Sequence, residues 1–225
     1  MMKLYTAIGN YKLNTHGLPT VVSGDHEYCL DPYELIFWTS LTFRILTHQE
    51  LRAEFYRREQ ELHILGESEF EHYLNRLIVR RLIISGQDDT GVDALYDLIG
   101  HLYVQTVPDS LMIRTIAFFK LVFGHKLSFK NALQIFHREK TEPSERQIMS
   151  FIRRQELSVA ELILCLDKGK KTIKSTKELM ECLYQDEHTD CESIVTDGRL
   201  CEARYSVLSA VANLYMKQYI TFHIL

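Results

Sequence analysis

Between residues 30 and 85 the apolar positions recur with a helical period, and polar capping residues divide them into three blocks. The first runs from Asp31-Pro32 to about Leu46 and is apolar on most sides, which predicts a central helix. Asp31 supplies the N-cap, and Pro32 fills the first helical position, where its missing N–H costs nothing. The second block opens at Thr47-His48-Gln49-Glu50, a capping box in which Thr47 and Glu50 satisfy each other's unpaired donors. The third begins near Ser68, carries Phe70, Leu74, Leu77, Ile78 and Leu82 at helical spacing, and passes into an extended Leu82–Ser85. Residues 3–8 and 20–30 read as strands, the second folding into a hairpin at Ser23-Gly24-Asp25-His26. Together with Leu82–Ser85 they predict one small sheet. After Gly86–Gly91 a return strand is expected, yet Val92, Leu95, Leu98, Ile99 and Leu102 follow at helical spacing, so a helix over about 92–103 replaces it.

The pattern recurs. Leu157-Ser158-Val159-Ala160-Glu161-Leu162-Ile163 repeats Leu30-Asp31-Pro32-Tyr33-Glu34-Leu35-Ile36, with Leu, Glu, Leu and Ile at the same offsets. Ser175-Thr176-Lys177-Glu178-Leu179 echoes Thr47-His48-Gln49-Glu50-Leu51, and a helix at Arg204–Gln218 runs into Ile220–Leu225. Residues 30–85 and 157–223 are therefore expected to be two copies of one unit. Three helices followed by a strand resemble the bacterial tandem winged-helix and helix-turn-helix transcriptional regulators, at the level of fold and without the signature of one family. The resemblance implies a mainly α fold with small β-hairpins, in which two winged helix-turn-helix-like units are joined by an apolar helical connector. The expected divisions are 1–106, 107–142 and 143–225. It implies a DNA-binding regulator; the alternative is a protein-interaction module on the same folds that binds no DNA.

The connector holds Ser110–Gly124, apolar almost all round, and an amphipathic Ser128–Lys140; the break at Thr141-Glu142-Pro143-Ser144 then starts a helix to about Arg154. A helix apolar on all sides is buried, either within the chain or between two chains, and a homodimer is expected.

Charge changes where nucleic acid would touch. The net charge is −4, but residues 120–177 hold 13 Lys and Arg against 6 Asp and Glu, leaving 13 against 24 elsewhere. The third helix offers His72, Asn75, Arg76 and Arg80, with Arg81 nearby, residue types that pair with base edges. Glu67, Glu69 and Glu71 crowd its first turn and oppose phosphate. The second unit offers Lys168, Lys170, Lys171, Lys174 and Lys177 beside a helix start, which supply phosphate affinity without sequence choice. Gly-x-x-x-x-Gly-Lys-Ser/Thr is absent, so this is no P-loop.

Cys182, His188, Cys191 and Cys201 invite a zinc reading, but the close Cys pair of structural zinc sites is missing, and neither metal nor cofactor is expected. No hydrolase, zincin or dinucleotide motif occurs, and no enzyme is expected. Five cysteines without Cys-x-x-Cys fit reduced thiols in a cytoplasmic protein. The N-terminus carries no apolar signal segment, and Leu111–Phe123 is too short and too charged to span a bilayer, so no membrane partner is expected.

Overall fold

A computed structural model describes residues 1–13, 15, 18–61, 69–107, 140–186 and 189–224. The first unit begins with β1 (Met2–Ala7), the central strand of a three-stranded antiparallel sheet. Next come β2 (Asn10–Leu13), β3 (Pro19–Ser23) and β4 (His26–Cys29), a separate meander. Three helices follow: α1 (Pro32–Leu41), then α2 (His48–Glu61) after the two-residue strand β5 (Leu46–Thr47), then α3 (Phe70–Val79). Strand β6 (Ile83–Asp88) closes the first sheet in the order β5-β1-β6. The expected hairpin is present, but it pairs with β2, while β6 pairs with β1.

No strand returns after β6. Helix α4 (Gly91–Ile99) does, capped by Thr90, and it packs so closely that a Cβ on Gly86 would lie 2.2 Å from the Leu98 nitrogen. Only glycine admits that backbone approach.

The second unit repeats the first sheet of the first unit, and the β2–β4 meander has no counterpart among its described residues. Its central strand is β7 (Tyr103–Thr106), and its sheet order β8-β7-β9 uses β8 (Leu157–Ser158) and β9 (Ile220–His223). Tyr5 pairs with Leu46 and Ser85, and Val104 pairs with Leu157 and Phe222. The first helix is α5 (Pro143–Ile152) and the second α6 (Val159–Asp167). Two inserted helices, α7 (Thr176–Leu183) and α8 (Cys191–Leu200), precede the third, α9 (Arg204–Met216).

This corrects the register of the repeat. Glu161 does not correspond to Glu34: it sits in the capping box of the helix that follows the two-residue strand β8, as Glu50 does in the helix that follows β5. The counterpart of Asp31-Pro32-Tyr33-Glu34 is Glu142-Pro143-Ser144-Glu145, with proline and a buried N3 glutamate in both. Ser175 caps an inserted helix by accepting the Glu178 N–H, while Glu178 accepts from the Lys174 N–H and completes no box; this helix has no counterpart among the described residues of the first unit. The third helices end alike. Arg81 (φ 53°) and Gln218 (φ 62°) take the left-handed conformation, and Leu82 and Tyr219 donate back to Leu77 and Leu214 at 3.0 and 2.9 Å.

Domain limits shift with the register. Strand β7 belongs to the second sheet, and Tyr96, Leu98 and Ile99 of α4 lie in the second core with Phe151, Leu162 and Val211, so a division after residue 106 cuts through that unit. The first core gathers Phe37, Leu41, Leu51, Phe55, Leu74 and Leu77. With three small sheets among the described residues and both cores helix-lined, the class is mixed α and β, less purely helical than expected. The units meet at Tyr215 of α9, whose buried hydroxyl accepts the Phe43 N–H at 3.0 Å and reaches the Ala7 carbonyl at 3.1 Å. The Ser110–Gly124 stretch, expected to form an apolar helix and a dimer contact, and nearly all of Ser128–Lys140 lie outside the described residues. Among the described residues no helix is long and apolar enough to cross a membrane.

Candidate functional site

The two expected nucleic-acid surfaces lie on different units, and the structure treats them differently. On α3, His72 and Asn75 are exposed. The two arginines are not available in the same way. Arg76 Nε lies 3.1 Å from Glu34 Oε1, and its Nη1 lies 3.3 Å from Asp31. Arg80 also bonds Glu34, donates to the Cys29 carbonyl at 3.2 Å, and covers the Tyr28 ring at 5.0 Å. The Glu34 side chain is 1% exposed, so these cations neutralise a buried carboxylate. Of the opposing acids, Glu69 is exposed and Glu71 lies 3.0 Å from His48, while Glu67 is outside the described residues.

The second unit repeats this arrangement with different chemistry. Lys217, at the end of α9, donates to Glu145 at 2.8 Å, and the Glu145 carboxylate also accepts the Glu142 N–H at 2.9 Å. Its third helix is buried over most of its length and exposes Tyr205, Ser206, Ser209 and Met216, none of them basic.

Four of the five predicted lysines do form a surface. Lys168 is tied to the Cys182 carbonyl at 2.6 Å. Lys170, Lys171, Lys174 and Lys177 are exposed; among the described residues only Lys177 forms an ion pair, with Glu181 at 3.7 Å, while the Lys174 backbone N–H donates to Glu178 at 2.8 Å. Hydrogen bonds from Ser150 to the Lys171 carbonyl (3.4 Å) and from Thr176 to Gln155 (3.2 Å) seat this loop against the end of α5. That places the lysines beside the exposed Arg153 and Arg154, a basic face that the linear sequence does not display.

The zinc reading finds no support among the described residues, where no three His, Cys, Asp or Glu side chains converge; His188 lies outside them. Cys182 instead packs near Cys165, whose thiol burial pushes up to about 12, which keeps it an inert core group.

A further site was not expected. A cleft of about 620 Å³ opens between the β3–β4 turn, the end of α3 and the outer face of the second sheet. Arg81, Asp25, His26, Gln105, Glu156 and His223 line it. His223 Nε2 is 3.9 Å from Glu156, and its buried Nδ1 has no hydrogen-bond partner among the described residues. An adjoining chamber of about 160 Å³ is walled by Tyr11, Trp38, Phe43, Tyr215 and Phe222, and it shares Gly9, Asn10, Thr221 and Phe222 with the cleft. The cleft lining comes from six separate stretches of chain and the chamber adds further ones, so no motif could mark them. No family model, curated protein or solved structure matches the chain.

Proposed function

We propose that the chain is a protein-interaction module built on two winged-helix-like units, and that it does not read base sequence. The observation that carries this is the state of the third helices: Arg76 and Arg80 are held on Glu34, Lys217 is held on Glu145, and α9 exposes no cation. A helix that reads the major groove must present Arg, Lys, Asn or Gln to base edges, and here the charged ones are engaged. Replacement of the wing by α4 and the net charge of −4 support the same reading. The first unit has the surface chemistry of a contact face, with Tyr11 exposed and Tyr28, Tyr33, Tyr56 and Tyr73 half-buried, since tyrosine is enriched where proteins meet.

The basic face of the second unit favours a second reading, a DNA-binding regulator that grips phosphates through Lys170, Lys171, Lys174 and Lys177 with Arg153 and Arg154. Such binding falls steeply with salt, by about 0.9 in log affinity per phosphate contact. A mobility-shift assay on sheared genomic DNA at low and moderate salt separates the two. The interaction reading expects at most a complex that dissolves at moderate salt; one that persists there establishes the regulator. Homodimerisation through Ser110–Gly124 is a separate proposal, read by light scattering.

A further inference from the structure

We propose that the cleft between the units and its aromatic chamber together bind one small aromatic amino acid. The chamber sets the first half of the ligand. Its 160 Å³ is close to the roughly 150 Å³ apolar cavity that accepts a benzene ring, and its walls carry the Trp38, Tyr11 and Phe43 rings. That volume holds one six-membered ring and no polycyclic group.

The cleft sets the second half. It presents the unengaged cation of Arg81 and two carboxylates, Asp25 and Glu156; Arg80 also lines it, but its guanidinium is held on Glu34. A purely anionic ligand meets the acids, and a purely cationic one meets Arg81. A ligand carrying both an ammonium and a carboxylate is matched at both ends. The two cavities share Gly9, Asn10, Thr221 and Phe222, so a ring in the chamber and a charged head in the cleft belong to one molecule of amino-acid size.

Arg81 bears on this independently. It occupies the left-handed cap position at φ 53°, which suits glycine or asparagine better than a long side chain. The second unit makes the same cap with Gln218, so the fold does not need a positive charge there. Arg81 also has no acidic partner among the described residues, in contrast to Arg76 and Arg80 beside it. Its guanidinium therefore has no structural task in the cap and remains open to a carboxylate in the cleft.

Trp38 is the only tryptophan and lines the chamber, so its emission reports occupancy directly. The full chain is titrated with L-phenylalanine, 3-phenylpropionate, phenethylamine and glycine, following Trp38 emission and, in parallel, heat by calorimetry. L-Phenylalanine is expected to give a saturable signal. Each single-charge analogue should bind about tenfold more weakly, the size of one charge-assisted hydrogen bond, and glycine should give no signal. Arg81→Gln, which installs the residue used by the second unit, should weaken phenylalanine and phenylpropionate about tenfold and leave phenethylamine unchanged. Glu156→Gln should weaken phenylalanine and phenethylamine and spare phenylpropionate. The absence of a saturable signal with phenylalanine in both measurements overturns the proposal. So does equal binding of all three aromatic probes, or an Arg81→Gln protein that binds phenylalanine like the parent.

Discussion

The buried carboxylate of Glu34 gives the sharpest stability prediction, because the same device occurs twice with different cations. Its side chain is 1% exposed and accepts from the Asp31 N–H at 3.1 Å, from Arg76 Nε at 3.1 Å and from Arg80. Arg76 is 48% exposed, so its share is discounted for solvent screening, whereas Arg80 is only 22% exposed. Glu34→Ala strips Arg80 of its counter-charge and leaves the α1 cap donor unsatisfied. Breaking a buried pair costs about 3–5 kcal/mol, and because Arg80 keeps some water the expected loss is near the lower end, about 3 kcal/mol. Glu34→Gln retains the shape and an acceptor for the Asp31 N–H, so about 1–2 kcal/mol is expected. Replacing both partners, as Glu34→Leu with Arg80→Met, should recover most of the loss, since an apolar pair of similar volume substitutes well for a buried ion pair. Urea unfolding followed by Trp38 emission and far-ultraviolet dichroism measures all three. A Glu34→Ala protein within about 0.5 kcal/mol of the parent, the range of an ordinary surface change, refutes the reasoning.

Four further outcomes follow from the same packing. Gly86→Ala drives a Cβ to 2.2 Å from the Leu98 nitrogen and should cost about 3 kcal/mol or more, read as a large drop in melting temperature. Tyr215→Phe removes the acceptor of the Phe43 N–H where the two units meet; about 1–2 kcal/mol and faster hydrogen exchange at the Phe43 amide are expected. Hydrogen bonds from Arg57 and Arg58 hold the Glu54 carboxyl at about 2, below its ordinary 4.5. Its stabilisation is then complete above pH 4.5 and lost as pH falls from 4.5 towards 2, so Glu54→Gln should flatten acid unfolding in that window. Changing Lys170, Lys171, Lys174 and Lys177 to Gln should abolish any retention of duplex DNA at low salt, reducing the salt slope by about 0.9 for each phosphate that is no longer neutralised.

Local rules found most elements of the first unit. The Asp31-Pro32 start, the Thr47–Glu50 box, the helical stripe of α3 and the helix after Gly91 are all spelled by residues adjacent in the chain. The repeat is visible in the sequence but misaligned there, because Leu-x-x-x-Glu-Leu-Ile describes any capped apolar helix. The diagnostic shared features are a proline followed two residues later by a buried glutamate, and the cation that answers it from the end of the third helix. That cation stands 46 positions beyond Glu34 and 72 beyond Glu145, the difference being helices inserted in the second unit. Strand β7 escapes a local reading because Tyr103-Val104-Gln105-Thr106 is short and follows directly on a helix, so only its pairing defines it. The candidate site was legible only in part. Residue type placed arginines on an exposed face of α3, and it could not reveal that Glu34, hidden inside, already holds them.

The central claim, that the third helices do not read bases, is tested most directly by selection from a pool of random-sequence duplexes with the full chain. No motif should be enriched, and any recovered duplex should bind equally well to the parent and to Asn75→Ala and Arg76→Ala variants. Enrichment of a defined sequence whose binding is abolished in either variant would contradict it.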